Sequence, residues 1–249
     1  MTCNDGTMAE RPATTPTTGA DIGGVRVTET PPPAVPAATV VLLRDSDEGV
    51  RVLMLKRIGG GAFGGFWVFP GGRVDDTDAD ELAAAVREAK EESDLDLDPE
   101  SFVRFSHWTP PAAEMRRFST WFFLAQAPHE HHQSVTIDEG EIVHHEWLLV
   151  TEALERRNRG EIELAPPTFV TLSVVAQAAS VAEALERARS TEPSIYEVNL
   201  RKHEHRTLTV FGGDVAYHDA SLLDSEGPRH RLELTNSPWI YECTIQHEN

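Results

Sequence analysis

The chain has 249 residues, of which 22 are Lys or Arg and 41 are Asp or Glu, giving a formal net charge of −19. That balance disfavours nonspecific binding to nucleic acid or to an anionic membrane, so a polyphosphate partner has to be drawn in by bound cations and a few local Arg or Lys residues. The length suffices for one core, or one core with an appended subdomain, and two cysteines, Cys3 and Cys243, argue against a disulfide framework and for a reducing, cytoplasmic setting.

Residues 1–36 cluster Thr, Pro, Ala and Gly (RPATTPTTGA, TPPPAVP) and contain no apolar run long enough for a signal peptide or membrane helix, so a flexible lead-in is expected. Ala37 to Leu43 and Val50 to Lys56 are β-rich runs around the turn-like segment from Arg44 to Gly49, which predicts a hairpin. A glycine-loaded loop follows from Gly59 to Gly65. Trp67-Val68-Phe69 then leads into Pro70-Gly71-Gly72, read as a sharp turn, and DDTDAD supplies the negative charge that suits a helix N-terminus. The helix is predicted over Glu81 to Glu92.

Strands are predicted at Phe102 to Trp108, Thr120 to Ala125 and Val143 to Val150, the last running into a short helix from Thr151 to Arg157. Helical patterns return at Pro167 to Ala178 and Val181 to Ala188. Beyond Thr191 come short β-like pieces, SIYEVNL, RTLTVFG, RHRLELT and WIYECTI, broken by Gly and Pro. The expected organisation is a lead-in over 1–36, a main α/β domain over 37–190 with a mixed sheet covered on both faces, and a small β-rich extension over 191–249. Packing against the main domain or a second subunit is the default role of that extension, which leaves a homodimer open.

The chemistry concentrates in ELAAAVREAKEE. At about 100° per residue Glu88, Glu91 and Glu92 share a helix face, and Glu81 returns to it seven residues earlier, leaving Leu82, Ala85, Val86 and Ala89 to pack the other side. Like charges at this spacing repel by a few tenths of a kcal/mol per pair, on the order of the i,i+4 effect. Mg²⁺ or Mn²⁺ would compensate, since hard cations take carboxylate oxygens and keep positions for water and substrate phosphates. The bland alternative is a solvated acidic face.

The stretch FPGGRVDDTDADELAAAVREAKEESDL, Phe69 to Leu95, resembles the signature of the Nudix hydrolases, GX5EX7REUXEEXGU with U aliphatic, and Arg87 to Glu92 match its REUXEE core. The spacing from Gly72 to Arg87 is one residue longer than the pattern, which leaves the upstream acidic position open between Asp78, Asp80 and Glu81. Asp94 replaces the late glycine and is expected to alter the turn that closes the helix. The resemblance implies an α/β/α sandwich, metal ligands Glu88, Glu91 and Glu92, and an Arg87 that orients a glutamate through a salt bridge. It also implies a loop carboxylate, Glu141, as a further metal ligand or general base, against the alternative of one more exposed acid. Within the family the chain looks most like the coenzyme A diphosphatases, through VLMLKR, FGGFWVFPGG, HWTPP, RRFSTWFFLA, EGEIVHHEWL and APPT.

Arg57, Arg116 and Arg117 are candidate phosphate clamps, because guanidinium pairs bidentately with phosphate, and Arg117 is the best placed, leading into a strand after HWTPP. Gly71 and Gly72 would let backbone groups approach a metal or phosphate, and Gly59 to Gly61 with Gly64 and Gly65 could form an anion nest or simply a mobile loop. His129-Glu130-His131-His132 lacks zinc-ligand spacing and reads as a surface loop. Trp108 and Trp121 either stack a base or belong to the core. The leading expectation is a metal-dependent hydrolase of a nucleoside diphosphate derivative, with coenzyme A or an acyl derivative as the first class. ADP-ribose, NADH and other nucleotides compete within the enzyme class, and a catalytically silent nucleotide-binding module competes from outside it.

Overall fold

The computed structural model describes residues 33–59, 64–111, 117–128, 142–235 and 238–245, together with the backbone of Asp21–Ile22 and Val25–Arg26. Glu141, Arg116, Cys3, Gly60, Gly61, the segment His129-Glu130-His131-His132 and the lead-in up to residue 32, apart from those two backbone pairs, lie outside the described residues.

The short strands β1 (Asp21–Ile22) and β2 (Val25–Arg26) pair with each other. The predicted hairpin forms between β3 (Val35–Ser46) and β4 (Gly49–Arg57), with a tighter turn than the sequence suggests, only Asp47 and Glu48 lying between the strands. Gly49 ends that turn at φ 130°, a conformation that L side chains rarely adopt. The chain continues through β5 (Trp67–Val68), β6 (Gly71–Arg73), α1 (Glu81–Ser93), β7 (Val103–Thr109), β8 (Phe118–Gln126) and β9 (Ile142–Leu149). Three helices follow, α2 (Val150–Asn158), α3 (Pro166–Val175) and α4 (Val181–Ser190), and then β10 (Ser194–Glu197).

These strands form one mixed sheet in the order β10-β7-β8-β3-β4-β5, with β6 also on β3 and β9 also on β4. The pairs β3 with β8 and β7 with β10 are parallel, and the others are antiparallel. Alternation along the strands feeds two cores. Ala38, Val40, Leu42, Leu53, Leu55, Phe123 and Ala125 turn to the α1 side, while Val41, Leu43, Val52, Met54, Phe122 and Leu124 meet α2, α3 and α4 through Ala153, Phe169, Leu172 and Leu185. Burial on both faces explains the near-continuous apolar runs AATVVLL and VLMLK.

The run SIYEVNL does not stay together. Ser194 to Glu197 complete the main sheet as β10, and Asn199 opens a second, antiparallel sheet of β11 (Asn199–His203), β12 (Arg206–Val210), β13 (His230–Glu233) and β14 (Ile240–Cys243). This extension packs on the main body. Trp108 stacks on Tyr196 with ring centroids 3.9 Å apart, Phe211 stands edge-on to both, and Trp239 stands edge-on to Phe169. The Arg157 guanidinium covers Trp239 at 3.4 Å from the ring centre. Among the described residues no helix is long and apolar enough to cross a membrane.

Strand direction gathers one end of the sheet. β3 and β8 begin there, β4 and β7 finish there, and β6 pairs with the first residues of β3. Arg57, Gly71, Gly72, Trp108 and Arg117 therefore belong to the same end.

Candidate active site

The helix α1 is specified locally. Asp80 caps its start by accepting a hydrogen bond from Ala83 N at 2.9 Å, Glu81 occupies the first turn, and Ala84, Ala85 and Ala89 are fully buried against the sheet. Asp94 closes it in the left-handed conformation at φ 57°, donating its N–H to Lys90 O at 2.9 Å, while Lys90 Nζ returns to Asp94 Oδ1 at 2.7 Å. The expected change in this turn does not occur, because Asp adopts the backbone that glycine would have taken.

The carboxylates are not arrayed on one solvated face. The buried stripe Ala85, Ala89 continues into Glu92 and Ser93, so Glu92 is 7% exposed and lies against the sheet. Its Oε2 accepts the backbone N–H of Gly71 at 2.9 Å. Glu88 lies half-buried against Gly72, and Glu91 is exposed. Glu81 turns away to Arg104 on β7 at 3.5 Å.

Gly71 and Gly72 do not make the expected sharp turn. They are strand residues, paired with Thr39 and Ala38, and glycine is required there by space. A Cβ on Gly71 would stand 2.5 Å from Ala38 O and from Thr39 Oγ1, and one on Gly72 would stand 2.5 Å from the carboxyl carbon of Glu88.

Arg87 is the hub of the cluster. Nε and Nη2 grip the Asp78 carboxylate at 3.0 and 2.8 Å, Nη2 also reaches Arg73 O at 3.0 Å, and Nη1 bridges Glu88 Oε1 at 2.8 Å and Glu91 Oε2 at 3.0 Å. Of the three acids left open by spacing, it is Asp78 that folds back onto Arg87, while Asp80 caps α1 and Glu81 turns to Arg104. The hydrogen bond from Arg87 holds the Asp78 carboxyl below its usual range, and the same bond raises the Arg87 guanidinium. Burial raises the Glu88 carboxyl, with Arg87 opposing.

Among the described residues no three His, Cys, Asp or Glu side chains converge to hold a metal ion as they stand. The donor set nevertheless suits a hard divalent cation, being wholly carboxylate and one helical turn apart, with Glu88 filling the space that glycine leaves at Gly72 and Glu92 held by the Gly71 N–H. What interrupts the set is the Arg87 Nη1 shared between Glu88 and Glu91.

Arg57 and Arg117 reach the same end of the sheet as this cluster. Arg117 Nη2 donates to Pro110 O at 3.2 Å and its carbonyl accepts from Val35 N, while Arg57 N donates to Phe66 O. Trp108 is core, 3% exposed and stacked on Tyr196. Trp121 is half-buried between Arg104 and His107. Asp78 is the participant left open in the sequence, although counted from Gly72 it stands at the GX5E position of the signature, whereas Asp80 is spent on the helix cap.

A family model, the NUDIX domain, matches residues 33–167, and the chain belongs to that family, as a pyrophosphohydrolase. The crystal structure of a NUDIX hydrolase from Alicyclobacillus acidocaldarius shares the fold, with a TM-score of 0.56 at 22% identity over 67% of this chain and 99% of that one. Two further similar structures are the NUDIX domain of Shewanella oneidensis NrtR complexed with ADP ribose (17% identity, TM-score 0.47, 57% of this chain and 86% of that one) and a C. elegans Ap4A hydrolase binary complex (23%, 0.43, 56% and 93%). A search of curated proteins returned no match.

Proposed function

We propose that this protein hydrolyses the diphosphate linkage of a nucleoside diphosphate derivative at the cluster on α1, with Glu88, Glu91 and Glu92 holding Mg²⁺ or Mn²⁺. The observation that carries the proposal is the seating of Glu88 and Glu92 against the side-chain-free strand Gly71-Gly72, within the segment that matches the NUDIX domain. The cation, when bound, supplies charge neutralisation on the phosphoryl oxygens.

The chain supplies position. Gly71 N–H fixes one oxygen of Glu92, and Asp78 fixes Arg87, which in turn orients Glu88. Arg57 and Arg117, at the same sheet end, would take the phosphates. Glu141 keeps its proposed role as further ligand or base. Water's oxygen bonds to one phosphorus as the bridging P–O bond breaks, giving two phosphate monoesters. Against a catalytically silent binding module stand the retained carboxylates of α1 and the helix end, which Asp94 closes in the left-handed conformation.

Coenzyme A is the first substrate to try, on the sequence blocks that resemble the coenzyme A diphosphatases, followed by ADP-ribose, NADH and a dinucleoside polyphosphate. The test is cleavage of this panel with Mg²⁺ or Mn²⁺ by the native protein and by Glu92→Gln. Metal-dependent cleavage of one substrate, lost in the variant, is the expected result; no cleavage of any would overturn the proposal.

A further inference from the structure

We propose that Arg87 is a displaceable internal cation, occupying the carboxylates when metal is absent and yielding them when it arrives. The inference rests on the reading of Glu88, Glu91 and Glu92 as metal ligands.

The guanidinium has two edges with different work. One edge, Nε and Nη2, donates three hydrogen bonds at 2.8 to 3.0 Å, two to Asp78 in the loop before α1 and one to the Arg73 carbonyl at the end of β6. The other, Nη1, bridges Glu88 Oε1 and Glu91 Oε2. A bidentate grip with a third bond survives loss of the Nη1 contacts, so the side chain can release the glutamates without leaving the loop. The Asp78 side chain is 6% exposed and that of Arg87 is 24% exposed, whereas Glu91 is 57% exposed. Asp78 is therefore the driest partner and Glu91 the wettest, with Glu88 between them at 14%, so the Glu91 half of the bridge is where the ion pair is weakest.

This arrangement accounts for two observations together. The helix carries Glu88, Glu91 and Glu92 within two turns and still seats them in order, because a cation already lies between two of them. It also explains why the right donors do not form a closed metal cage: an oxygen of each of two ligands is occupied by Nη1. A divalent ion binding there has to break those two hydrogen bonds, and the apparent affinity is lowered by that amount.

The test is Mn²⁺ titration, followed by the electron paramagnetic resonance signal of the free ion and by calorimetry, on the native chain, Arg87→Lys, Arg87→Gln and Asp78→Asn. Metal-free thermal melts serve as the check on folding. Lysine keeps the charge and loses the forked bridge. The expected result is Mn²⁺ binding about threefold tighter in Arg87→Lys and up to about tenfold tighter in Arg87→Gln, the range for a partly exposed ion pair. Asp78→Asn loosens the anchor and leaves Arg87 to the glutamates, so binding there weakens. Weaker binding in all three variants would mean that Arg87 only positions ligands, and overturns the inference. Native affinity in Arg87→Lys with tighter binding in Arg87→Gln would assign the effect to charge alone and overturns it too. Failure of every protein, native included, to bind Mn²⁺ would instead strike the metal reading itself, and the inference with it.

Discussion

Gly72 and Glu88 share one volume: the carboxyl group of Glu88 stands where a side chain on Gly72 would begin. The obstacle to a methyl group is the end of a flexible side chain, so Gly72→Ala should displace the carboxylate and leave the fold standing. The expected outcome is a small change in melting temperature with a fall in kcat of more than about tenfold, as for a misplaced catalytic group. Gly71→Ala should do the opposite work. Its methyl group meets the Ala38 carbonyl and the Thr39 backbone, which cannot swing aside, and about 1 to 3 kcal/mol of stability should be lost in denaturant melts.

Asp94 holds a left-handed backbone that glycine takes without strain. Asp94→Gly should raise stability by about 0.5 kcal/mol, after loss of the exposed contact with Lys90, whose contribution is small. A paired thermal melt that shows destabilisation would contradict this account of the helix end.

The extension carries a buried ion pair, Asp214 with Arg231, whose side chains are 0% and 6% exposed. Burial would raise the Asp214 carboxyl, but the Arg231 guanidinium and the N–H groups of His230 and Ala216 outweigh it and hold it below its ordinary value of 3.8. A carboxyl depressed on folding adds stability that is complete above its unfolded value and lost as pH falls through its folded value. Stability should therefore be insensitive to this group at neutral pH and decline below pH of about 3.8. Asp214→Asn leaves Arg231 buried without a counter-charge and should cost about 3 to 5 kcal/mol in urea melts.

Trp239 joins the extension to the main body through Phe169 and Arg157, and its backbone N–H donates to Asn158 Oδ1 at 3.1 Å. Trp239→Ala should destabilise the chain by about 2 to 4 kcal/mol, since it removes a large, partly buried ring and a cation–π contact. Hydrogen exchange should place the loosening in β13 and β14.

Much of this arrangement is legible in the sequence where a signal is local. The hairpin of β3 and β4, the start and length of α1, and the four β-like pieces after Thr191 all follow from periodicity and turn chemistry. What escapes is set by contacts between distant segments. Gly71 and Gly72 read as a turn because glycine is permissive, whereas here they are strand residues chosen for close approach. Glu81 has the spacing of a cluster member, yet Arg104 on a distant strand takes it. SIYEVNL reads as one strand and divides between two sheets, because pairing with β7 and with β12 is decided across the fold. The Trp108 stack on Tyr196 has no local signature at all.

That stack has a consequence for truncation. The family match stops at residue 167, but the main sheet is finished only by β10, thirty residues later, and it is β10 that brings Tyr196 onto Trp108. A chain cut where the family likeness ends would leave β7 as an open edge, with unpaired backbone groups along Ser106 to Thr109 and an uncovered indole beside them. Such an edge is a template for association with other chains, so a shortened protein should aggregate even though every residue of the α1 cluster is present.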